Sequence, residues 1–172
     1  MKSLKELQII KTIPAFALLL IMGASVHAET SATKTLPAPI QNYLDKSHTG
    51  WKLVEGDPAC QSRSVVKGDL DGNGKTDFAV MFKTRKDGYI IAFLANGSGY
   101  KPVVAHQGYV SDGGFLVLAK KGEPYAEIIS EDGERAPTRK LKTDALASGG
   151  CESSETLYIY ANGKFSQVAT SE

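Results

Sequence analysis

Residues 68–82 read GDLDGNGKTDFAVMF. Oxygen-bearing side chains stand at Asp69, Asp71, Asn73 and Asp77, with glycines at 72 and 74, and an apolar run begins at Phe78. Three carboxylates this close in the chain repel one another unless a cation lies between them. Asp, Asn and Gly at this density also make tight turns through side chain to backbone hydrogen bonds. Counted from Asp69, the ligand-type residues fall at positions 1, 3, 5 and 9, with Gly74 at position 6 where a metal loop turns sharply. Lys75, at position 7, contributes its backbone carbonyl, so its ammonium need not face the ion. A hard divalent cation takes about six to eight oxygens at roughly 2.3–2.6 Å, so five from the loop plus water suit Ca2+. Magnesium demands a tighter octahedron, and zinc prefers nitrogen or sulfur, which the loop lacks.

In a helix–loop–helix calcium site the twelfth position carries a bidentate glutamate. Here it is Val80, in the middle of FAVMF. The second flank is therefore a strand, and residues 65–82 are expected to form a calcium hairpin. The stretch resembles the DxDxDGxxD loop of FG-GAP and VCBS-type repeats, in which Asp and Asn residues between antiparallel strands bind calcium. That resemblance implies side-chain ligation by Asp69, Asp71, Asn73 and Asp77 and a carbonyl from Lys75, with asparagine replacing aspartate at the third ligand. It covers only residues 65–82. The closing TLYIYANGKFSQVATSE is similar, more loosely, to the last hairpin of small exported bacterial proteins of unknown function that carry one such loop. A propeller needs several stacked repeats, and this chain holds one copy, so the adhesion roles of the larger family do not follow. Without an acidic twelfth position the affinity is expected at about 10⁻⁴–10⁻³ M, as in extracellular modules, which makes the ion a structural clip.

Outward from the loop, the pattern is one of strands. WKLVEG (51–56) alternates, with Trp51 and Leu53 on one side and Lys52 and Val54 on the other. FAVMF and YIIAFLA read as buried strands; YKPVVAH, GFLVLAK and YAEIIS follow. Asn96-Gly97 and Asn162-Gly163 between apolar runs are strong hairpin signals. Residues 131–150 are expected to hold a loop and a short strand near Leu141–Leu146. Ahead of the strands, Pro37 and Pro39 precede IQNYLDKS, where Ile40, Tyr43 and Leu44 fall on one helical face. A short helix is expected over about 39–47. The fold class is mainly β, an antiparallel meander or small barrel with one short N-terminal helix.

The N-terminus reads as an export signal. Lys2, Lys5 and Lys11 precede the apolar stretch Ile13–Met22, too short to span a bilayer, and ASVHA places cleavage after Ala28. Residues 29–38 are expected to be a flexible lead-in and 39–172 a single domain. Removing residues 1–28 turns 20 basic against 19 acidic side chains into 17 against 18. Near-neutral charge gives no case for nucleic acid, and no membrane span is expected after cleavage. The only cysteines, Cys60 and Cys151, both follow the cleavage site. A periplasmic or secreted location makes a disulfide between them the expectation. It would close about 90 residues, a constraint of roughly 4–5 kcal/mol in the chain-entropy model.

Catalytic signals fail. Ser64 and Lys67 fit SxxK, but on a strand they face opposite sides. His48 and His106 lack a signalled partner and read as surface or loop residues. Asp112, Glu131, Asp132 and Glu134 read as acidic turns, and Tyr100, Tyr109, Tyr158 and Tyr160 as half-buried strand residues that could seat a glycan. The sequence thus points to an exported, non-catalytic calcium-binding module with an envelope protein or glycan as partner. The alternative is an inhibitor or accessory subunit of a periplasmic or cell-wall enzyme, projecting 131–150; a hydrolase built from distant carboxylates is a third reading.

Overall fold

The computed structural model describes residues 36–56, 63–150 and 154–171. The expected signal segment, most of the lead-in and both cysteines lie outside the described residues. Helix α1 spans Ala38–Ser47, one residue longer at its start than expected. Pro39 occupies its first turn, where a missing N–H costs nothing. Ile40 and Leu44 are fully buried, and the His48 amide bonds to the Leu44 carbonyl to end the helix. Asp45 accepts hydrogen bonds from Gln41 and, at 2.8 Å, from Trp51 Nε1, tying the helix to the chain that leaves it.

Strand β3 (Asp77–Lys83) lies at the centre of the first sheet. Along one of its edges β1 (Lys52–Leu53) and β2 (Val65–Gly68) pair end to end, Leu53 opposite Phe82 and Gly68 opposite Asp77. On the other edge β4 (Gly88–Asn96) pairs with β3, and β5 (Gly99–Gly108) pairs with β4, all antiparallel. A register shift between Ile90 and Ile91 marks a bulge in the β4–β5 pair. FAVMF lacks polar alternation because both faces of β3 are covered. Phe78, Val80 and Phe82 point to the helix layer with Ile40, Leu44, Ile91 and Phe93. Ala79 and Met81 point the other way, with Ile90, Ala92, Leu116 and Leu146. Truncating Phe82, which is fully buried, to alanine would cost about 3–5 kcal/mol on the usual scale for core aromatics.

The second sheet has the order β11 (Lys164–Ser171), β10 (Glu155–Ala161), β9 (Ala145–Gly149), β6 (Phe115–Ala119), again antiparallel. A small ribbon pairs β7 (Pro124–Tyr125) with β8 (Arg139–Lys140). The fold is mainly β and antiparallel with one short helix, as expected. Of the two expected forms the barrel does not occur, since the described strands form separate, unclosed sheets. Among the described residues no helix is long and apolar enough to cross a membrane.

Local differences have identifiable causes. Asn162 and Gly163 both take positive φ, the signature of a tight two-residue hairpin turn. In the other hairpin Asn96 is still paired, opposite Gly99, so the turn is Gly97-Ser98 with only Gly97 at positive φ. The strand expected near Leu141–Leu146 starts later, at Ala145. The Leu141 N–H and carbonyl instead bond Glu123 and Gly122, which bends the chain there. YAEIIS is a strand only at Tyr125. Beyond it, Ile128 bridges Arg135 around a turn in which the Ser130 carbonyl and hydroxyl accept the Gly133 and Glu134 amides.

Candidate metal centre

The loop leaves β2 at Gly68 and returns at its paired partner Asp77, so the first and last candidate ligands are brought together by strand register. Asp77 is fully buried. Its Oδ2 accepts the Leu70 amide at 2.8 Å, folding the loop back on itself, and its Oδ1 accepts the Ala95 amide at 2.7 Å, fixing the loop to β4. Asp69 Oδ2 accepts the Gly74 amide at 3.0 Å. Asp71 Oδ1 accepts the Asn73 amide at 3.0 Å, and Asn73 Nδ2 donates to Asp71 Oδ2 and to the Ala95 carbonyl. Asn73 Oδ1 accepts the Lys75 amide at 2.7 Å. Gly72 and Gly74 take φ of +79° and +76°, and a side chain at 72 would run into Thr143 Cγ2.

Asp69, Asp71 and Asp77 each offer a carboxylate oxygen, all within 4.8 Å of one another. One cation bonded at roughly 2.3–2.6 Å can bridge oxygens up to about 5 Å apart, so the spacing fits a calcium-sized ion. Asp69 Oδ1 is buried and meets no hydrogen-bond partner, the condition a cation would relieve. Burial pushes the Asp77 carboxyl up; the nearby Asp71 carboxylate adds to this, while the amides of Ala95, Leu70 and Asp71 oppose it. A cation among the three would favour the ionised form. All donors are oxygens, which matches a hard ion rather than zinc. Of the five expected ligands, Asp69, Asp71 and Asp77 converge, while Asn73 and Lys75 are exposed at the outer turn of the loop.

Compared with known proteins, the chain matches no family model, no curated protein and no solved structure. The site therefore rests on its own geometry.

Sequence reasoning missed Asp144. Its Oδ2 accepts the Asp69 amide at 3.1 Å, and its own amide donates to the Asp69 carbonyl at 3.2 Å. Its Oδ1 accepts the Lys121 amide, and Lys120 Nζ lies 3.2 Å from Oδ2. Burial alone would raise this carboxyl, but the Lys121 and Asp69 amides and the Lys120 ammonium outweigh it and hold it below the usual range. Asp144 thus staples the first loop residue to the chain entering β9. Nothing in LKTDAL marks this role, because the partner lies 75 residues away.

The other singled-out residues do not assemble a reactive group. The Ser64 hydroxyl donates to the Val54 carbonyl, while Lys67 Nζ sits 5.0 Å from the Phe78 ring centre. His48, the cap residue that ends the helix, is half-buried against Tyr43, Phe82 and Tyr89, with its pKa lowered by burial. Asp112 pairs with Lys83 at 2.6 Å. Tyr109, expected half-buried, is 86% exposed, whereas Tyr158 is buried. His106 lies on β5 with Nε2 3.1 Å from the Tyr109 carbonyl.

Proposed function

We propose that residues 69–77 hold one calcium ion and that the protein is an exported, non-catalytic binding module in which the ion is a structural clip. The side-chain ligands are Asp69, Asp71, Asn73 and Asp77, with Lys75 supplying its carbonyl and water completing the shell. The observation that carries this reading is the buried, unpartnered Asp69 Oδ1 set beside two more carboxylates, one of them fully buried. Bound there, the ion offsets the mutual repulsion of the carboxylates and joins the β2 end of the hairpin to the β3 end. The expected weak affinity suits an extracellular or periplasmic compartment, where the leader-like residues 1–28 would send the chain. Isothermal titration of chelated protein should give one calcium per chain, with magnesium binding more weakly. Absence of saturable heat up to about 10 mM calcium would refute the site.

A second reading, an inhibitor or accessory subunit of a periplasmic or cell-wall enzyme, draws on the hairpin around residues 127–136, where Ile129 is 54% exposed beside a tight turn. Ile129→Asp should abolish capture of an envelope hydrolase if that hairpin is the contact. Unchanged capture would remove it.

A further inference from the structure

A cleft of about 380 Å³ opens between the two sheets, away from the metal loop in residue content, and is lined by β3, β5, β6, β9, β10 and the 109–114 connection. Its size lies at the lower end of the roughly 300–1,000 Å³ typical of small-molecule sites. No lining residue is Asp, Glu, Lys or Arg. Phosphates and carboxylates are recognised by charge-assisted bonds, so an anionic ligand finds little here. The walls nevertheless carry hydroxyls, among them Ser111, Ser148 and Tyr158, which a polar ligand can pair and a purely apolar one cannot. Ser148 Oγ donates to Tyr158 Oη at 3.3 Å, which leaves the Tyr158 hydroxyl proton to donate elsewhere.

Phe115 and Tyr109 add aromatic surface. Tyr109 is the most exposed large hydrophobic residue among those described, at 86%. Its backbone is held while its ring stands in water. A carbonyl only accepts, so His106 Nε2 donates to Tyr109 at 3.1 Å, and Gly108, at φ +143°, makes the turn between them. A ring presented on a fixed backbone loses little freedom on binding. Walls without carboxylate, ammonium or guanidinium groups, the hydroxyls, the His106 imidazole and a projecting aromatic platform together match one ligand chemistry, a ring with C–H faces to stack and hydroxyls to pair.

We propose that this cleft binds a neutral saccharide, with one sugar ring stacked on Tyr109 and its hydroxyls paired with Ser111, Ser148 and Tyr158. The proposal does not rest on calcium, and its test is run with calcium saturating so that the two readings fail separately. Saturation-transfer NMR on the full mature chain uses glucose, galactose, N-acetylglucosamine and the β-1,4-linked tetramer of the last, with glucuronate as the charged comparison. Neutral sugars should receive transfer and glucuronate much less. Tyr109→Ala should keep its melting temperature and bind about tenfold more weakly, the change expected for loss of one well-placed aromatic contact. Ser148→Val gives a second variant inside the cleft and should weaken binding as well. Tighter binding of the tetramer identifies a glycan chain as the source, and equal binding a free sugar. The proposal is overturned by no transfer from any neutral probe, by transfer from glucuronate alone, or by unchanged affinity in Tyr109→Ala.

Discussion

Replacing Asp71 by alanine separates the ion from the fold better than any other change in the loop. Asp71 is half-exposed, and its hydrogen bonds go to Asn73, an exposed residue two positions on. Its removal should cost the metal-free protein no more than about 1 kcal/mol, and it takes a like charge away from Asp77. The effect on the ion should be larger. With a dissociation constant of about 10⁻⁴–10⁻³ M, 10 mM calcium amounts to roughly 10–100 times that constant. Mass action then stabilises the wild type by about 1.4–2.7 kcal/mol. At roughly 2–4 °C per kcal/mol for a chain of this size, the melting temperature should rise by about 3–11 °C between chelator and calcium. In Asp71→Ala the rise should vanish, while the melt in chelator stays close to wild type. Differential scanning calorimetry with matched ionic strength checks both, and magnesium at the same concentration should give a smaller rise. If wild type melts identically in chelator and in calcium, or if Asp71→Ala keeps the full rise, the account of the loop is wrong.

Asp77→Asn should behave differently, destabilising the protein by about 1.5–3 kcal/mol already in chelator and by more in calcium, because it also weakens a proposed ligand. One carboxamide oxygen cannot serve both the Leu70 and Ala95 amides, and chemical denaturation would show the loss as a lower midpoint. Asp144→Ala should cost about 1–3 kcal/mol, because it strands the part-buried Asp69 amide, and should weaken calcium binding without touching a proposed ligand. Unchanged calcium affinity in that variant would mean the staple does not position Asp69. His48 has its folded pKa lowered from 6.5 by burial. A depressed folded pKa means the unfolded chain takes the proton first. The stability contribution is therefore whole above pH 6.5 and is lost as pH falls through the folded value. Melts from pH 8 to 5 should decline in wild type and less in His48→Phe; parallel declines would assign the slope elsewhere. Mass spectrometry of freshly isolated protein without reductant should find Cys60 and Cys151 joined if the chain is exported as proposed, and two free thiols would remove that bridge.

Much of the fold was legible because its signals are local. The DxDxNGxxD spacing, the helix face of Ile40 and Leu44, and the Asn162-Gly163 turn each involve residues a few positions apart. Even the double burial of β3 agrees with FAVMF, whose lack of alternation suits a strand covered on both sides. Illegible features depend on distant pairing. That β6 would join β9 and not its neighbour YAEIIS, and that Asp144 would grip Asp69, follow from how the second sheet docks on the first. The exposure of Tyr109 and the aromatic cage around His48 were not visible for the same reason. A residue's type fixes its preference, but the layer that arrives over it decides its surroundings.

The outer strand β5 has one further consequence. It is ten residues long and pairs with a neighbour on one side only, and such an edge is the kind of template along which molecules stack into aggregates. Here Pro102 supplies no amide, Lys101 stands exposed beside it, and the bulge interrupts the regular spacing farther along. Such interruptions discourage a second copy from zipping onto this margin, so a crowded solution of the protein should stay clear without a partner to cap it. Exchanging Pro102 for valine and Lys101 for threonine would test this directly, since light scattering should then climb with concentration where the parent stays flat.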